Sequence, residues 1–141
     1  MVPAIIIIIA GFFSGFSEQS YEQIAENLLK ERTQILQAAY SGSMEIKQAE
    51  SRLSQIETYP LLSEDVGNLR DLPATEFDVV KSMEFIETTQ ERKMLQYVSL
   101  AVTIRWYMSG LESDYVSDYD YSVILKTTRD GYVLSEFNPK Q

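Results

Sequence analysis

The chain has no cysteine and no histidine in 141 residues. The first absence excludes disulfides, thiolate metal sites and a cysteine nucleophile. The second removes the commonest general base and metal ligand, and with them every Ser-His-Asp or Cys-His arrangement. Glycine is sparse as well. Gly110 and Gly131 stand alone, so there is no glycine-rich phosphate loop, and Ser14-Gly15 and Ser41-Gly42 lack the setting of a nucleophile elbow. No cofactor motif stands out. Positive charge is short: 12 Lys and Arg against 21 Asp and Glu give a net charge of -9, with the basic residues scattered along the chain. Such a chain repels phosphate backbones, which argues against a nucleic-acid partner.

The strongest feature present is the opening stretch. Residues 2–16 carry no charge and include five consecutive isoleucines, Ile5 to Ile9. As a helix, such a run would span roughly 22 Å, short of the ~30 Å hydrocarbon core of a bilayer. Its length suits the apolar centre of a signal peptide or a short anchor. Gly15-Phe16-Ser17 offers a small-x-small pattern, consistent with cleavage after Ser17, but no Lys or Arg precedes the run. Either further residues precede Met1 or the stretch is a short uncleaved anchor. A buried β-strand is the alternative, because isoleucine favours strands, and it would make this a cytoplasmic domain. The membrane-related reading is preferred, with residues 1–17 appended to a single domain over 18–141. No basic residue occurs before Lys30, which favours the remainder outside the cytoplasm, membrane-anchored or secreted.

Helical spacing dominates 18–72. Tyr21, Ile24, Ala25, Leu28, Leu29, Ile35, Leu36 and Ala39 form one stripe, with Ser17 or Ser20 as cap, Gly42 as end and Glu26–Lys30 in the favourable order. A second helix is expected from Ser43 to Thr58, broken at Tyr59-Pro60, and a short third from a Ser63 cap to Leu69. Over 76–138 the period changes to two. Strands are expected at 77–87, at 92–108 with Met94, Val98, Leu100, Val102, Ile104, Trp106 and Met108 on one face, around 115–126, and from Tyr132 to Phe137 after an Asp130-Gly131 turn. Short links imply an antiparallel meander. The fold class is α+β: two to three N-terminal helices packed on a curved four-stranded antiparallel sheet.

Three groups of side chains invite a function. Asp114, Asp118 and Asp120 suggest a cation, but strand spacing and the lack of a glycine bend favour a solvated face with Arg105 as cross-strand partner, and no metal site is assigned. Lys81, Gln96, Trp106, Ser117, Tyr119 and Tyr121 share the inferred inner face and could line a ligand pocket. That face has no histidine or aspartate and its one carboxylate, Glu87, lies near a strand end, so no positioned base is evident and no catalytic residue is assigned. Tyr97, Arg105 and Tyr107 on the other face suit a protein interface.

Helices first, then long antiparallel strands ending in TTRDGYVLSEFNP: in this order the chain resembles the nuclear transport factor 2-like, or cystatin-like, superfamily. The resemblance rests on element order and on the hairpin residues Asp130, Gly131, Tyr132, Val133, Leu134 and Phe137. It implies a bent sheet wrapped round a long helix. It also implies two kinds of activity: isomerases and cyclases with a pocket base and a tyrosine, and non-enzymatic domains tethered outside bacterial membranes. The bare inner face and apolar N-terminus resemble the second branch. The expectation is a non-enzymatic extracytoplasmic binding or assembly module, with a protein partner or self-association and membrane contact through residues 2–16. A small-ligand-binding protein or a cryptic isomerase- or cyclase-like enzyme is the alternative.

Overall fold

The computed structural model describes residues 19–71 and 78–140. The apolar stretch 2–16 lies outside them; among the described residues no helix is long and apolar enough to cross a membrane. Three helices, α1 (Tyr21–Tyr40), α2 (Ile46–Ile56) and α3 (Leu61–Arg70), precede four strands, β1 (Val79–Met94), β2 (Tyr97–Ser109), β3 (Asp114–Thr128) and β4 (Gly131–Pro139). The strands form one antiparallel sheet in sequence order. The α+β class and the helix-on-sheet arrangement are as the periodicity implied.

Ser20 caps α1 through a capping box: its hydroxyl accepts from the Gln23 amide at 3.1 Å, and Gln23 Oε1 accepts from the Ser20 amide. The first half of α1 packs Ala25 and Leu29 on Val98, Leu100, Val102, Ile104, Val123, Leu125 and Leu134 of the sheet. Its second half packs Ile35, Leu36 and Ala39 on Ala49, Leu53, Ile56 and Leu69 of α2 and α3. One helix therefore serves two cores.

Several boundaries differ from expectation. Ser43 does not cap α2; Glu45 holds that position without a side-chain bond, while Ser43 Oγ bonds the Ala38 carbonyl at 3.2 Å. α3 starts at Leu61, after Pro60, so Ser63 lies inside it. β1 runs on to Met94, and the chain reverses at Leu95-Gln96, because three irregularities let β1 carry extra residues against β2. Lys81 and Ile86 are two of these extras, and each adds bend to the strand. The last turn is Arg129-Asp130, and Gly131 opens β4 at φ +142°, a backbone angle that favours glycine.

The sheet's edges are treated unequally. β1 is blunted by α1 side chains: Glu26 accepts from the Phe85 amide at 3.0 Å and Gln37 from the Val80 amide at 3.2 Å. β4 is covered where Glu57 bridges Leu134 and the Thr58 amide bonds its carbonyl at 2.8 Å. β4 pairs with β3 only from Tyr121 onward.

Candidate functional site

Because β4 stops opposite Tyr121, residues 114–119 of β3 have β2 on one side and no strand on the other among the described residues. This open edge carries Tyr115, Val116 and Tyr119, all exposed, with Tyr119 57% accessible. Cross-strand register sets Tyr119 beside Ile104, Ser117 beside Trp106 and Tyr115 beside Met108 on the face that elsewhere supports the helices. α1 meets β1 at this end, where Gln37 accepts from the Val80 amide, and leaves Tyr115, Val116 and Tyr119 of β3 exposed. An aromatic shelf and an unpaired backbone edge thus lie together.

Four of the six expected pocket residues meet here. Trp106 Nε1 donates to Tyr121 Oη at 2.9 Å, with the rings edge to face at 6.1 Å, and Tyr121 stacks on Phe137 at 4.5 Å. Burial holds the Tyr121 hydroxyl above its usual range, against the lowering effect of the hydrogen bond from Trp106. Trp106, Tyr121 and Phe137 fill the inner face themselves, and Ser117 and Tyr119 continue the row outward. The other two do not join them. Lys81, displaced by its bulge, pairs with Asp114 at 2.7 Å, holding that carboxyl below its usual range. Gln96 sits in the β1–β2 turn and accepts from the Thr127 amide at 2.7 Å. It is ten residues along β2 from Trp106, about 33 Å at strand rise.

The expected partner face also divides. Tyr97 borders a groove of about 490 Å³ with Tyr59, Met94, Leu95 and Ile124. Arg105 and Tyr107 lie at the far end of the sheet in a polar row. Arg105 forms a two-point pair with Asp118 at 2.9 and 3.0 Å, and Tyr107 donates to Glu84 at 2.6 Å. Arg105 holds Asp118 below its usual range, and the Glu84 carboxylate raises the Tyr107 hydroxyl. Asp120 accepts from Thr103 at 2.6 Å. The aspartates of this face are thus used within the sheet, as their spacing suggested.

A buried ionic cluster escaped the sequence reading. Arg32 of α1 donates to both oxygens of Asp65 in α3, at 2.7 and 2.8 Å, and its Nε is 3.2 Å from Glu57 Oε2 at the end of α2. The guanidinium also lies 5.2 Å from the Phe137 ring centre. Glu57 and Asp65 are each 3% exposed. Burial, reinforced by the adjacent Asp65, pushes Glu57 up to about 9, while Asp65, despite its own burial, is held below its usual range by Arg32. Arg32 directs its hydrogen bonds to Asp65 and leaves both Glu57 oxygens without a hydrogen-bond partner, which disfavours the charged form. The neutral pH state is therefore one cation, one anion and one neutral acid. The signal was present: Asp65 sits four residues from both Leu61 and Leu69, on their buried stripe.

No known protein family matches the sequence, and no curated protein matches it. Among solved structures, the chain resembles the intermembrane space region of the chloroplast protein ARC6, with a TM-score of 0.54 and 14% identity over 86% of this chain and 98% of that one. At that identity the likeness is one of fold.

Proposed function

We propose that the protein is a non-enzymatic extracytoplasmic binding and assembly module, tethered through residues 2–16, that takes a protein segment along the open edge of β3. The observation that carries this reading is the combination at 114–119 of unpaired strand backbone with exposed Tyr115, Val116 and Tyr119. Added strands gain main-chain hydrogen bonds from such an edge, and neighbouring aromatic rings supply specificity. Among the described residues, α1 side chains cap the β1 edge at Val80 and Phe85 and Glu57-Thr58 cover the β4 edge at Leu134, whereas 114–119 combines open backbone with aromatic surface. The thrice-bulged β1 packed beside a long helix supports kinship with the nuclear transport factor 2-like superfamily, and the fold likeness to an intermembrane-space domain fits an extracytoplasmic setting. The ligand-pocket alternative is less favoured because Trp106, Tyr121 and Phe137 occupy one another's space.

The test is photo-crosslinking in the native cells, with a photoreactive phenylalanine analogue at position 119 and, as control, at Lys47 on the helical side. A discrete protein adduct at 119 that is absent at 47, and lost on Tyr115→Lys, is expected. A clean absence of adducts at 119, with correct folding and expression, would remove this assignment.

A further inference from the structure

The opposite end of the sheet carries a second, unrelated surface. β1 and β2 reverse at Leu95-Gln96, where Leu95 adopts φ +55°, a backbone angle that favours Asn or Gly in such turns. Its side chain is 93% exposed, and Met94 beside it is 63% exposed. These residues contribute nothing to either core.

The charges around this tip are distributed differently from the rest of the molecule. Of the 12 Lys and Arg, six form ion pairs among the described residues, none of them at this end. Arg92 and Lys93 flank the β1 side of the tip, Lys126 stands opposite Tyr97, and Arg129 lies in the neighbouring β3–β4 turn. These four form no ion pair among the described residues, although Lys93 lies 5.9 Å from the Tyr21 ring centre. Glu91, Asp130 and Glu136 are nearby acids, so a chain of net charge -9 still sets four cations against three acids here. The start of α1 is at the same end: Tyr21 packs edge to face on Tyr132 at 5.7 Å, and Gln19 and Ser20 border a groove with Glu91 and Gly131. Only residues 17 and 18 separate the uncharged stretch 2–16 from Gln19, a reach of roughly 10 Å.

We propose that this hairpin end docks on an anionic lipid surface, Met94 and Leu95 entering the interface and Arg92, Lys93, Lys126 and Arg129 meeting headgroup phosphates. The assignment rests on the reading of residues 2–16 as a membrane segment, and it turns the open β3 edge, at the other end of the strands, away from the bilayer. Apolar tips flanked by cations suit such an interface, because the aliphatic atoms leave water while the charges stay at headgroup level.

The absence of cysteine permits a clean test on the full chain. Leu95→Cys carries an environment-sensitive nitrobenzoxadiazole label, and Glu112→Cys carries it at the other end. Each is mixed with vesicles of phosphatidylcholine alone or with phosphatidylglycerol added. The expected result is a blue-shifted, brighter label at 95 with phosphatidylglycerol and an unchanged label at 112. Changing Arg92 and Lys126 to Gln should weaken the response about fivefold for each charge removed. Protein that sediments with vesicles while the label at 95 stays in water would overturn the docking and leave the tether standing. Protein that does not sediment at all would overturn both. An equal response to phosphatidylcholine alone would overturn the headgroup contacts, and a lipid-free shift that grows with protein concentration would assign the tip to a second copy.

Discussion

Arg32, Glu57 and Asp65 show how a few buried polar side chains can fix the packing of three helices and a strand. Glu57 is a neutral acid in the folded state, with its proton affinity raised to about 9. A carboxyl raised on folding contributes stability that is fully present below its unfolded value near 4.3 and declines as pH rises through the folded value. Stability should therefore fall between about pH 5 and 9, with a slope of at most about 1.4 kcal/mol per pH unit from this one proton. Glu57→Gln should flatten that slope and melt higher than the parent at pH 8; urea titrations across the range would show it. Asp65 works with the opposite sign: its value is lowered, so its contribution is present at neutral pH and lost on acidification. Removing it leaves Arg32 buried without its two-point partner, and Asp65→Asn should cost about 3–5 kcal/mol by equilibrium denaturation at pH 7.

Within the elements, local chemistry and packing make separate contributions. The capping box on α1 satisfies two backbone donors that a helix start otherwise exposes. Ser20→Ala should cost about 1 kcal/mol, read as a lower midpoint with unchanged denaturant slope. Gly110 sits in the β2–β3 turn where a Cβ would fall 2.8 Å from the Ser113 carbonyl oxygen. Gly110→Ala should therefore displace that turn and reorient the open edge next to it, measurable as amide shifts confined to residues 108–116. The hairpin pattern of β3 and β4 was readable because alternation and a turn signal agree there. The β1–β2 turn was not. Its Leu95-Gln96 sequence carries no turn residue, and the extra residues of β1 break strict alternation. That single displaced turn is why Gln96 was placed on a face shared with Trp106.

At the scale of the molecule, the two ends of one sheet have different characters. One offers unpaired backbone and aromatic rings at 114–119; the other offers an aliphatic tip ringed by four cations. Among the described residues, the buried members of both core clusters begin at Ala25, with Tyr21 and Ile24 packed against the first. Removal of residues 1–17 should therefore leave cooperative melting within about 1 kcal/mol of the full chain while weakening membrane association to what the hairpin tip alone supplies, as calorimetry and vesicle sedimentation would report.

Periodicity, caps and breakers sufficed to determine three helices, four strands and their order, because each depends on neighbours within a few residues. The same local signals placed Trp106, Ser117, Tyr119 and Tyr121 on one face and paired Arg105 with Asp118. What only the tertiary structure decided depends on where separate segments stop and meet. β4 ends opposite Tyr121 and so leaves an edge open. Arg32, Glu57 and Asp65 come from α1, the end of α2 and α3 and meet in one buried ionic cluster. Basic residues spread from position 92 to 129 converge on one tip, because antiparallel register returns distant positions to the same end of the sheet.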